Sequence, residues 1–159
     1  MTQPATPPHP LRVLVCDDND VLRAALADVV RAQHDLTLVG SAADADQAIA
    51  LARAHRPHVV VLDVRFPGGG PYTAQEIVRS VPGVRVVAFS AYGDQGSRNA
   101  MAAAGVAGYL VKGITNARLL DEIRTLGDQA LASPSFAAEE TSGGQHGATN
   151  AHGLASEPR

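Results

Sequence analysis

Between residues 11 and 112 the chain repeats one unit: a short, nearly unbroken apolar run that stops at a polar residue, followed by a segment with helical spacing. Four such runs, at 11–16, 58–62, 84–89 and 106–111, end at Asp17, Asp63, Ser90 and Lys112, and a fifth lies at 36–41. Strands buried on both faces read as continuous apolar runs, whereas half-exposed strands alternate. The segments between them predict helices. The first, over 20–33, carries Val21, Leu22, Ala25, Leu26, Val29 and Val30 at helical spacing, with Asn19 or Asp20 as N-cap. Others are expected over 44–54, 73–80 and 94–104. A last one starts at Thr115, runs through Leu119, Leu120, Ile123 and Leu126, and is closed by Gly127. Strand–helix–strand crossovers are right-handed and send helices to both faces of a parallel sheet. The pattern therefore predicts an α/β fold, a three-layer doubly wound domain on a five-stranded parallel sheet.

Composition narrows the function. With 159 residues and a 45% hydrophobic share, the chain has material for one core and a remainder. No stretch approaches the roughly 18 consecutive apolar residues of a membrane span, and the proline-rich start has no apolar signal region. The single cysteine, Cys16, excludes a disulfide framework and a cysteine zinc site. Together these point to the cytosol. Residues 1–127 balance twelve basic side chains against twelve acidic ones, so they offer no clustered charge to displace counterions from phosphates and predict no direct nucleic-acid contact. Of the thirteen basic residues Lys112 is the only lysine, a place where a compact ammonium serves better than a guanidinium. Residues 1–10, with four prolines, are expected to be a disordered lead, 11–127 the folded domain, and 128–159 a mostly disordered acidic tail.

Parallel α/β sheets bind ligands outside the carboxyl ends of their strands. Asp17 and Asp18 follow the first strand, Asp63 the third, Ser90 the fourth and Lys112 the fifth, so all five are expected at one edge. Any one alone is more simply a loop residue or a helix cap; five at one edge make a pocket. Three gathered carboxylates repel one another unless a cation joins them. An all-oxygen set without His or Cys suits a hard ion, Mg²⁺. A hydroxyl and an ammonium opposite are what phosphoryl oxygens require.

In this order, "VLVCDDND", "VVVLDVRFP", "VVAFSAY" and "AGYLVKG" resemble the receiver domain of bacterial two-component response regulators over residues 11–127. The resemblance implies the flavodoxin-like strand order 2-1-3-4-5. It implies that Asp63 is the phosphoacceptor, taking a phosphoryl group from a phosphohistidine on a sensor histidine kinase. Asp18 and Asp63, with the backbone carbonyl of Arg65, are then direct Mg²⁺ ligands and Asp17 a ligand through water. Lys112 pairs with the phosphoryl oxygens, Ser90 moves to hydrogen-bond them, and Tyr109 is the aromatic switch that follows. Arg65 and Tyr92 occupy positions that tune hydrolysis, and their bulk predicts a long-lived phosphoryl mark. Output is expected through docking on a downstream protein, or through a homodimer formed by the fourth helix, fifth strand and fifth helix.

Some residues depart from the family pattern. Gly113 follows Lys112 where proline is frequent, so no cis bond is inferred. The Lys-Gly pairing resembles the branch that carries a C-terminal helix-turn-helix, yet the residues after Pro134 hold one basic side chain and no amphipathic helix, so that output is expected to be absent. Phe66 stands where methionine is usual and Gly70-Pro71 where Asp-Gly is usual. The altered loop leaves open a phosphorylation-independent interaction module. A dehalogenase-type phosphatase is disfavoured because Arg65 stands where its second aspartate belongs. His55 and His58, beside Pro57, lack a third metal ligand, and Cys16 reads as a small core residue.

Overall fold

The structure, a computed structural model, describes residues 9–143. Five strands, β1 (Leu11–Cys16), β2 (Leu36–Ala42), β3 (Val59–Leu62), β4 (Arg85–Ser90) and β5 (Gly108–Val111), form one sheet in the order β2-β1-β3-β4-β5. All four pairings are parallel. Between them run α1 (Asp20–Arg31), α2 (Ala45–His55), α3 (Gly70–Ser80) and α4 (Gln95–Ala103), and α5 (Asn116–Leu131) and α6 (Pro134–Gly143) follow β5.

The continuous apolar runs are explained by two cores, one on each side of the sheet. Alternate residues of the central strands point opposite ways. Leu14, Cys16, Val60, Leu62, Val86 and Ala88 pack with Ala48, Ala52, Ala74, Ile77 and Met101 of α2, α3 and α4. Val13, Val15, Val59, Val61, Val87 and Phe89 pack with Leu26 and Val30 of α1 and Leu119, Leu120 and Ile123 of α5. A polar residue at positions 13–16 of β1, or in β3, would therefore be buried whichever way it faced. Four helices open on a side chain that accepts a backbone N–H of the first turn: Asn19 from Leu22, Asp44 from Gln47, Asp94 from Ser97 and Thr115 from Arg118.

Two boundaries differ from expectation for identifiable reasons. The turn-rich loop after Asp63 is short because α3 begins at Gly70, with Pro71 pre-setting the first helical φ. A Cβ on Gly70 would lie 2.2 Å from the Val64 carbonyl oxygen, so the helix can start there only on glycine. At the other end Gly127 does not close α5, which continues to Leu131. Gly127 is buried, and a Cβ on it would stand 2.4 Å from Leu11 Cδ1. It is a close helix–strand approach rather than a cap. Beyond it, residues 128–139 are not the expected disordered tail: α6 follows, and Phe136 is 1% exposed in the first core. The rest of the expected tail, 144–159, and residues 1–8 of the expected lead lie outside the described residues. The single cysteine, Cys16, is buried as expected, and burial pushes its thiol pKa far up.

Candidate functional site

Register brings the site together. Cys16 pairs with Leu62, so the next residues, Asp17 and Asp63, leave neighbouring strands side by side. Ser90 pairs with Val111, which places Lys112 one step beyond the hydroxyl. Asp17, Asp18 and Asp63 each offer a carboxylate oxygen within 4.8 Å of the others. Lys112 Nζ lies 2.8 Å from Asp17 Oδ2 and 3.6 Å from Asp63 Oδ2. All five residues expected at one edge are thus there. The donors are carboxylate oxygens only, the set that Mg²⁺ takes while retaining waters, so these residues fit that ion.

Burial differs within the cluster. Asp17 and Ser90 are buried, Asp63 is 8% exposed, and Asp18 is open to solvent. Burial raises the Asp63 pKa above the ordinary carboxylate value; Lys112 opposes this and Asp17 adds to it. Asp17 is tied in place: its Oδ1 accepts the Asn19 N–H at 2.9 Å, and its carbonyl accepts Arg23 Nη1 at 2.7 Å. Lys112 is likewise aimed by the sheet, its N–H donating to the Ser90 carbonyl at 2.7 Å. Gly113 then turns the chain into α5 with φ +107°, a conformation open to glycine.

Around the pocket the remaining expected residues form a second layer. Ser90 Oγ accepts the Tyr92 N–H at 3.1 Å, an arrangement that leaves its proton free to donate elsewhere. The Tyr109 hydroxyl donates to the Tyr92 carbonyl, linking β5 to the β4–α4 loop. The Arg65 guanidinium stacks over the Tyr92 ring at 3.7 Å, which joins the loops after Asp63 and Ser90, and the Arg65 N–H points to Asp63 Oδ1 at 3.4 Å. Two residues in this layer escaped sequence reasoning. Arg23, which braces the Asp17 carbonyl and pairs with Asp20 at 2.7 Å, carried the local signal of an opposite charge three residues away. Arg98, 4.6 Å above the Tyr109 ring, carried none, because its partner lies across a strand–helix connection.

Comparison with known proteins agrees with this geometry. The family model of the response regulator receiver domain matches residues 13–124. The response regulator GacA of Pseudomonas protegens is 33% identical over 129 residues, covering 80% of this chain and 61% of that protein. The transcriptional activator DevR/DosR of Mycobacterium tuberculosis is 32% identical over 118 residues, covering 74% of this chain and 54% of its own length. The chain thus spans about three-fifths of the length of the GacA relatives it matches. Among solved structures, the receiver domain of the putative response regulator NarL from M. tuberculosis superposes with TM-score 0.71 at 31% identity, covering 76% of this chain and 98% of that one. The receiver domain of Thermotoga maritima CheB gives 0.69 at 26%, with 76% and 98% covered. On its family match, its sheet order and its acidic pocket with Lys112, the chain belongs to the response regulator receiver domain family, with LuxR/NarL-type regulators among its relatives.

Proposed function

We propose that this protein is a phosphorylation-controlled switch in which Asp63 accepts a phosphoryl group from a sensor histidine kinase and the altered surface around α4, β5 and α5 docks a downstream protein or a second copy of the chain. The reading is carried by one observation: a nearly buried carboxylate, Asp63, shares a pocket with two further aspartates and the chain's only lysine. An Asp63 oxygen attacks phosphorus, the phosphorus–nitrogen bond of the phosphohistidine breaks, and its electron pair leaves on the imidazole nitrogen. The product is a mixed anhydride that water can later cleave. Mg²⁺ would be held by Asp18, Asp63 and the Arg65 carbonyl, with Asp17 reaching it through water, and would supply charge neutralisation at the transferring oxygens.

Lys112 leaves its ion pair with Asp17 to meet the phosphoryl oxygens, and Ser90 turns its hydroxyl proton toward them. Ser90 is buried and holds the Tyr92 N–H, so its movement pulls the β4–α4 loop, which releases Tyr109 from the Tyr92 carbonyl and re-shapes the face that carries Arg98 and the exposed Ala102 and Ala103. New hydrogen bonds made only in the phosphorylated state are what shift such an equilibrium. Intact mass measured after incubation with Mg²⁺ and acetyl phosphate tests the reading. A gain of one phosphoryl group that Asp63→Asn abolishes supports it; no gain in the folded wild type overturns it and leaves a phosphorylation-independent module.

A further inference from the structure

The strands are parallel, so the N-terminal ends of β1 and β3 lie at the opposite rim from Asp63, and a second polar cluster is built there. Arg12 N donates to His58 Nδ1 at 2.9 Å, and Arg12 Nε donates to the Arg56 carbonyl at 3.0 Å. These bonds fix the His58 imidazole and the Arg12 guanidinium beside one slot, before anything fills it, whereas the Arg56 guanidinium is engaged from the side of the occupant. The Phe136 ring of α6 fills it, 4.6 Å from the His58 ring, with the Arg12 and Arg56 guanidinium carbons 5.8 and 5.7 Å from its centroid. One helical turn on, Glu139 enters the arginine fork, 3.2 Å from Arg12 Nη2 and paired with Arg56 Nε. Gly83 forms the opposite wall, where a Cβ would stand 3.0 Å from the Phe136 ring.

We propose that this rim is a peptide-binding seat, and that the segment Phe136–Glu139 is its reversible occupant in cis. The ligand class is a short helix with an aromatic ring three residues before a carboxylate. Three observations carry this. His58 and Arg12 are held within the rim itself, so that part of the seat is formed without the segment. The occupant lies beyond the residues 13–124 that define the receiver match. The docked state also strands a polar group: Ser133 Oγ, at the hinge between α5 and α6, is buried without a hydrogen-bond partner among the described residues. Release would return that hydroxyl to water, which lowers the cost of undocking.

Two measurements test it on the full chain. Hydrogen exchange on the wild type is expected to show amides of residues 135–139 exchanging at least tenfold faster than those of residues 119–130 in α5, through local opening. Equal rates mean that α6 opens only with the whole domain, and overturn the proposal. A labelled peptide of residues 131–139 is then titrated against Phe136→Ala/Glu139→Gln, in which the seat is vacated. Saturable binding is expected, at least tenfold weaker to the wild type, and lost when Arg56→Met is added. No binding by the folded variant, or equal binding of a peptide lacking the ring and the carboxylate, overturns it. If the double variant does not fold, the exchange rates decide alone.

Discussion

The two rims of the sheet hold comparable numbers of buried or half-buried polar groups and treat them oppositely. At the N-terminal rim His58, Arg12, Arg56 and Glu139 satisfy one another, and an aromatic ring seals them. At the C-terminal rim three carboxylates face a single ammonium, and Asp63, nearly buried, has its pKa raised by burial. The first network is completed by a segment of the same chain; a cluster with surplus charge of one sign is poised for something that arrives from outside. Such clusters oppose stability until their ligand comes.

The largest effect is expected from acid acting on the closed rim. Burial, aided by Arg12 and opposed by Glu139, lowers the His58 pKa from 6.5 to about 4. The unfolded chain therefore takes up this proton first as pH falls. The contribution is complete above pH 6.5, declines between 6.5 and 4, and is constant below. Its size is on the order of 3 kcal/mol. Urea unfolding followed from pH 7 to 4.5 should show this loss in the wild type and a much flatter profile in His58→Gln, whose amide oxygen can still accept the Arg12 N–H. Identical profiles would show that the imidazole is not sealed.

The open rim should respond in the opposite sense. Asp63→Asn removes one of the crowded charges while keeping an oxygen for the Arg65 N–H, so the ion-free variant should be more stable than the wild type by about 1 kcal/mol, a few degrees in Tm. Adding Mg²⁺ should raise the wild-type Tm in proportion to the logarithm of its concentration above Kd and leave Asp63→Asn nearly unmoved. If the substitution destabilises the ion-free protein, Lys112 already compensates the cluster and the contrast between the rims is weaker than drawn.

The sheet and the acidic pocket were legible in the sequence because both rest on a period. Apolar runs buried on two faces carry no alternation to confuse, and each ends where a polar side chain first reaches the rim; Asp17, Asp63, Ser90 and Lys112 are those endings. The closed rim was not legible. Phe136 follows Pro134 in a segment poor in aliphatic residues, so nothing local shows that its ring is buried. Arg12 stands alone inside an apolar run, and its partners lie 44 to 127 residues away. Gly127 carried the usual sign of a helix end, and only the neighbouring Leu11 side chain shows why glycine is needed mid-helix.

A kinetic effect is expected from the stack above the open rim. Arg65 and Tyr92 bridge the loops after Asp63 and Ser90, and a stack at that place is expected to restrict the approach of water to a phosphorylated carboxylate. The double variant Arg65→Ala/Tyr92→Ala should lose its phosphoryl group faster, by about tenfold or less, which is under about 1.4 kcal/mol of barrier. Intact mass followed in time after removal of acetyl phosphate measures it, and slower loss in the variant would refute a shielding role.

The smallest effect on stability at neutral pH belongs to Glu139→Gln, yet it tests the wiring of the closed rim most directly. Burial pushes the Glu139 pKa up, but the hydrogen bonds and charges of Arg56 and Arg12 outweigh it and hold the carboxyl low, so the group stays ionised well below neutrality. The pairs are about a third exposed, and solvent limits the loss to about 1 kcal/mol or less. The same carboxylate is what holds the His58 pKa from falling further. Removing it leaves the Arg12 guanidinium unopposed beside the imidazole, so the His58 titration should move to lower pH even as the protein becomes slightly less stable. The imidazole carbon resonances of His58, followed against pH in both proteins, report that displacement directly. A titration that moved upward would mean that the segment had left its seat and opened the ring to water.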